Sequence, residues 1–107
     1  MSRQPYQALG AVLAELEPAL RQLGLWHQQP PSAEALASRA PFAIDTLTFS
    51  QWLQFVFLPR MEALLEQRQP LPRKCAIAPM AEEYFAPQNI DATEVLELLR
   101  RIDTLLS

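Results

Sequence analysis

The chain of 107 residues contains two glycines, one cysteine, one histidine and one lysine. Each scarcity removes a class of chemistry. With glycine only at Gly10 and Gly24, there is no glycine-rich loop to cradle a phosphate and few sites for tight hairpin turns. Cys75 alone cannot form an intramolecular disulfide, and with His27 it falls short of a structural zinc set. In the segment Lys-Cys-Ala-Ile-Ala-Pro, Cys75 reads as a small buried residue. His27 has no second metal ligand near it in sequence, so it is expected to be solvated or locally hydrogen-bonded. No serine or cysteine stands beside it as a nucleophile.

Positive charge is also sparse. Lys74 and eight arginines face twelve carboxylates, giving a net charge of −3 and an isoelectric point near 5.0. Only Arg68, Arg73 and Lys74 approach a cluster, and Arg73-Lys74 reads as a solvated loop. A free-standing nucleic-acid binder carries a basic face, so direct contact with RNA or DNA is not expected. Glu62/Glu66 and Glu82/Glu83 pair carboxylates without histidine, which suits a solvated acidic face better than a metal site. No catalytic residue, cofactor or metal is therefore expected. No apolar run is long enough to span a bilayer, and Met-Ser-Arg-Gln-Pro-Tyr lacks the hydrophobic centre of a signal peptide. The expected location is the cytoplasm.

What is present is apolar residue at helical spacing. Half of the residues are hydrophobic, a fifth are charged, and ten prolines are dispersed among apolar segments. The length suits one domain, burying roughly 65% of the unfolded chain's surface. A first helix is expected over 4–23, with Leu9, Leu13, Leu16, Leu20 and Leu23 as its seam and Glu17–Arg21 paired off it. Pro18 falls on the wet side, where it would kink the helix without breaking it. Gly24 ends the helix, and Trp26 is expected to fold back over the core as a lid. Ser32 caps a short helix through about residue 38, and Pro41 then forces an extended connection.

The stretch 47–68 is apolar around most of its girth and reads as the central post. Thr48 and Gln51 match the capping box, and Leu47 with Trp52 the hydrophobic staple, which sets the helical start at Phe49. The post stops at Gln69-Pro70-Leu71-Pro72. Residues 73–78 are expected to be extended or irregular, followed by a short helix over 80–85. Asp91 and Glu94 give a second capping box, with Ile90 and Val95 as its staple, opening an amphipathic last helix over 92–106 with Glu97–Arg101 as an i,i+4 pair. The expected fold is all-α, a compact up-and-down helical bundle of about four main helices plus short helical turns.

One residue breaks the pattern. On a regular wheel Arg60 lies among Phe49, Trp52, Leu53, Val56, Phe57, Ala63 and Leu64. A buried guanidinium needs acceptors. Asp45 is one, and the Phe55 carbonyl, which Pro59 cannot serve, is another. Arg60 is thus expected to pin the loop at 43–46 or that at 76–79. Its functional rival is receipt of an anionic ligand.

Pro-Phe-Ala-Ile-Asp-Thr-Leu (41–47), Trp-Leu-Gln-Phe-Val-Phe-Leu-Pro-Arg-Met (52–61), Arg-Gln-Pro-Leu-Pro (68–72) and Ile77-Ala78-Pro79, with the leucine-rich first helix and Trp26, resemble the YqcC-like family of small bacterial proteins. The chain departs from the family pattern at Phe49, where a proline is expected, and at Met80, where an aromatic is expected. The resemblance implies a compact helical bundle, supplies no catalytic residues, and implies a context in which the gene often neighbours that of a tRNA pseudouridine synthase. Two readings follow. One is a non-catalytic protein-interaction module, an accessory of such a synthase, whose acidic balance suits a basic enzyme better than RNA. The other is a binder of a small apolar or anionic ligand, with Trp26, Phe42, Trp52 and Arg60 lining a pocket at one end of the bundle and Asp45 and Thr46 in the adjoining loop. The wide apolar arc of the post leaves a monomer or a weak homodimer as the expected states.

Overall fold

The computed structural model describes residues 4–72 and 76–106. Among them all regular structure is helical. Arg73, Lys74 and Cys75, read from sequence as a solvated loop and a small buried residue, lie outside the described residues.

Helix α1 (Gln4–Gln22) runs unbroken through Pro18, which is exposed as the wheel predicts. Its leucines at steps of four and three enter the core: Leu9, Leu16 and Leu20 are completely buried and Leu13 nearly so. Gly24 ends it in the left-handed region, at φ 71°. The Leu25 N–H then reaches back to the Leu20 carbonyl, closing a Schellman turn. Helix α2 (Ala33–Leu36) is a single turn capped by Ser32, whose hydroxyl accepts from Ala35 N–H at 3.1 Å.

Pro41 does not lead into an extended connection. Residues Pro41–Ala43 form a 3₁₀ turn, and Phe42 and Ala43 both have positive φ, 56° and 50°. Two successive left-handed residues with side chains are unusual and strained. The turn swings the Phe42 ring edge-on to Trp52 at 4.8 Å between centroids, a contact an extended segment would not supply.

The central post has three parts: α3 (Phe49–Trp52), a π-helical turn (Leu53–Phe57) and α4 (Leu58–Glu66). The capping box forms as expected: Thr48 Oγ1 accepts from Gln51 N–H, and Gln51 Oε1 accepts from Thr48 N–H. In the π-turn the Leu58 N–H donates to the Leu53 carbonyl, five residues back. A wide turn just ahead of Pro59 makes room for the proline ring, which in a plain α-helix meets the carbonyl four residues before it.

The π-turn also explains the burial pattern. Phe49, Leu53, Phe57, Met61 and Leu65 stand at steps of four; the first four are buried and Leu65 is half-buried. On a plain α-helix steps of four drift by about 40° each. One extra residue in a turn takes back about 100° of that drift and keeps the ladder on one face.

A second Schellman turn closes α4, from Gln69 N–H to the Leu64 carbonyl. Its left-handed residue is Arg68, at φ 52°, where glycine is usual. Helix α5 (Ala78–Phe85) starts two residues earlier than expected, with Pro79 in its first turn. Asp103 explains this start. Its carboxylate accepts from Ile77 N–H at 2.9 Å and Ala78 N–H at 2.8 Å, capping α5 from another helix.

Helix α6 (Thr93–Leu105) buries Val95, Leu98, Leu99 and Ile102. The expected Asp91–Glu94 capping box does not form. Asp91 Oδ1 accepts from the Thr93 hydroxyl at 2.6 Å and the Thr93 N–H at 3.1 Å, and Ala92 becomes the residue at the cap. Those two bonds, the hydroxyl first, hold the Asp91 carboxyl below its usual pKa. A box made of two acids would also bring like charges together. The expected Glu97–Arg101 pair gives way to contacts between helices: Arg101 approaches Glu15 of α1 at 4.0 Å, and Arg100 reaches Glu82 of α5 at 2.9 Å. Helix α1 packs along α6 and against α4, and α5 packs on α6.

Candidate functional site

The structure distributes the six candidate residues over different places. Arg60 is exposed, and among the described residues no acceptor holds it. The expected buried arginine is a consequence of the regular wheel. Beyond the π-turn every residue is set back by about 100°, which moves Arg60 off the Phe49 face.

Asp45 and Thr46 tie the loop to the short helix α2. Asp45 accepts from the Ser38 hydroxyl, and Thr46 Oγ1 donates to the Ala35 carbonyl at 2.7 Å. Their role there is to fix the segment between α2 and the post.

Trp52 and Phe42 belong to an aromatic cluster. Trp52 stacks on Phe49 at 6.0 Å and on Phe57 at 5.4 Å, and Tyr84 closes on Phe49 at 5.7 Å. Beside this cluster runs a shallow groove of about 340 Å³, with Phe42, Ile44 and Leu47 on one side and Met80, Glu83 and Tyr84 on the other. Ile44 stands 62% exposed at its lip.

Trp26 folds back on the core as expected and takes Arg21 over its ring at 5.0 Å. It sits at one end of a second, larger groove of about 800 Å³ between α1 and the post. Trp26 and Phe42 therefore line separate grooves, and the four side chains expected to share one pocket do not share one.

The larger groove has a distinct make-up. Its α1 wall presents Gly10, Ala14 and Pro18 at steps of four, small residues that leave the space open. Leu13, Phe55, Leu58 and Leu65 give it an apolar floor. Its charged lining residues are all carboxylates: Glu17, Glu62 and Glu66. Glu17 is answered by Arg21 at 2.9 Å. Glu62 and Glu66 are exposed, one helical turn apart, and form no ion pair among the described residues.

Gln54 supports the Trp26 end of this groove. It is 8% exposed, and its amide grips the backbone of His27 at both ends: Oε1 accepts from His27 N–H at 2.8 Å, and Nε2 donates to the His27 carbonyl at 2.6 Å. The His27 ring lies near Phe55, at 6.4 Å between centroids. The histidine's main chain, not its imidazole, is what this contact uses. Sequence reading missed Gln54; its signal is a polar residue one position from Leu53 on a stretch otherwise apolar.

The described residues contain no cluster of three or more histidine, cysteine or acidic side chains that could hold a metal. Among them no helix is long and apolar enough to cross a membrane.

Comparison with known proteins places the chain. The model of the DUF446 family, described as tRNA pseudouridine synthase C, matches residues 8–105. The chain belongs to this family. One relative, a protein of Haemophilus influenzae named as uncharacterised, is 52% identical over 77 residues, covering 72% of this chain and 73% of the relative. YqcC of Escherichia coli, also named as uncharacterised, is 36% identical over 95 residues, covering 89% of this chain and 87% of YqcC. The solution structure of YqcC superposes with a TM-score of 0.83 at 33% identity, covering 95% of this chain and 87% of that one. The all-helical fold of this DUF446 member is thus the fold of YqcC. A third match is 49% identical over 61 residues and covers 57% of this chain. It lies within a Pectobacterium carotovorum protein named tRNA pseudouridine synthase C, of which it makes up 16%.

Proposed function

We propose that the chain is a non-catalytic interaction module and works as an accessory of a tRNA pseudouridine synthase in the cytoplasm. The observation that carries this reading is the Pectobacterium match. A segment like this chain is carried within a longer protein that bears the synthase name, and most of that protein lies outside the match. Covalent linkage keeps two modules at high effective concentration. Wherever the bundle is made apart from a synthase, an interface would take the place of that linkage.

The surface suits a protein partner. The net charge of −3 gives no counterpart to a phosphate backbone, whereas an acidic bundle complements a tRNA-binding enzyme, which must carry basic surface. The described residues that line the two grooves offer apolar ground for a partner.

Co-expression tests the reading. Tagged chain and the tRNA pseudouridine synthase C of the same organism should co-purify and share one gel-filtration peak at micromolar concentration. The chain alone should form no pseudouridine in a tRNA substrate. Two separate peaks, or pseudouridine made by the chain alone, would contradict it.

A further inference from the structure

We infer that the groove between α1 and the central post is the docking site for a basic amphipathic helix of the synthase. This inference rests on the accessory reading above and names the part of the surface that does the work.

Three features of the groove converge on that occupant. The first is its shape. Gly10, Ala14 and Pro18 line its α1 wall across eight residue steps, which is about 12 Å of helix. That length seats the apolar face of about two turns of a partner helix. A Cβ at Gly10 would stand 3.7 Å from the Leu65 side chain, in ordinary van der Waals contact, so Leu65 of the post closes on α1 at this point and forms the bottom of the groove.

The second feature is an apolar floor that the bundle's own helices cover only in part: Leu13 and Leu58 are buried. Phe55 and Leu65 are only half-buried, although each belongs to the helix that supplies the core. A partner helix with apolar residues at positions i, i+3 and i+4 completes their burial.

The third feature is charge. The charged residues that line the groove are carboxylates, and Arg21 stands beside them at the Trp26 end. Arg21 neutralises Glu17, and among the described residues no cation answers Glu62 or Glu66. Two glutamates at i,i+4 repel one another on an isolated helix. Arginine or lysine on the flanks of an incoming helix would convert that repulsion into attraction, steer the encounter and fix the partner's orientation.

The smaller groove lacks this combination. It has one carboxylate, Glu83, and its exposed apolar residue Ile44 directly follows the strained turn. It serves as the control surface.

The experiment is a calorimetric titration of the synthase with three proteins: the wild-type chain, a Glu62→Lys/Glu66→Lys variant and an Ile44→Asp variant. All three substituted positions are exposed, so the fold should tolerate each change, and circular dichroism checks this. The wild type should bind, with affinity that falls as salt is raised from 50 to 300 mM. The double variant should bind at least tenfold more weakly while melting no lower than the wild type. Ile44→Asp should bind within threefold of the wild type. A folded double variant that binds as tightly as the wild type, or loss of binding in Ile44→Asp alone, would overturn the groove assignment and leave the accessory reading standing. Absence of wild-type binding would overturn both.

Discussion

Gln54 and His27 are joined through main chain on one side and side chain on the other. One buried amide satisfies both the N–H and the carbonyl of His27, at 2.8 and 2.6 Å. The contact anchors the segment after α1 to the central post and holds Trp26 at the mouth of the larger groove.

The first prediction follows from what each residue contributes. Gln54→Leu removes both partners and leaves two buried backbone groups unpaired, so it should cost about 1–3 kcal/mol in urea unfolding. His27→Ala keeps the backbone bonds and should cost less than Gln54→Leu. Equal losses would show that the imidazole matters as much as the clamp.

The second prediction separates two neighbours on the post. Arg60 is exposed, so Arg60→Met should change stability by less than about 0.5 kcal/mol. Met61 is 3% exposed and belongs to the step-four ladder, so Met61→Ala should cost about 2–4 kcal/mol. Chemical denaturation of the two variants checks the register beyond the π-turn. The reverse order of losses would mean a plain α-helix.

The third prediction concerns the start of α5. Asp103→Ala removes the acceptor for Ile77 and Ala78 and should cost about 1–2 kcal/mol. Hydrogen exchange should accelerate first at those two amides. Unchanged protection there would place the cap elsewhere.

The fourth prediction is a gain. Arg68 closes α4 with positive φ, a conformation in which a side chain is strained. Arg68→Gly relieves that strain and should raise stability by about 0.5–1 kcal/mol, read as a higher urea midpoint. A loss of similar size would show that the arginine side chain makes a compensating contact.

The parts of the fold that were legible in sequence are those decided within a few residues. Thr48 and Gln51 carry reciprocal partners three positions apart, and the boundary at Phe49 follows. Gly24 supplies the only glycine where α1 must end. The seams of α1 and α6 repeat at helical spacing and enter the core as read. Asp91 and Glu94 have the same spacing as the first box, but Thr93 offers Asp91 a closer hydroxyl and N–H, and a second acid is a poor partner for the first.

What was not legible depends on partners far along the chain or on an irregular turn. Asp103 lies 26 residues from Ile77, and Gln54 lies 27 from His27, so no local rule connects them. Arg60 was misplaced because the wheel assumes one constant angle. The ladder Phe49–Leu53–Phe57–Met61–Leu65 did contain the warning, since unbroken steps of four do not stay on one face of a plain α-helix. The two grooves are tertiary features. Only the placement of Trp26 on the core was available beforehand, and the association of Glu62 and Glu66 with it was not.

The proposed action of this bundle is to bind a tRNA pseudouridine synthase. Isothermal titration of the purified chain into the purified synthase at low salt tests it most directly. The account predicts saturable one-to-one binding with a dissociation constant of about 10 μM or tighter, about −7 kcal/mol. A flat titration with both proteins folded at about 100 μM would contradict it.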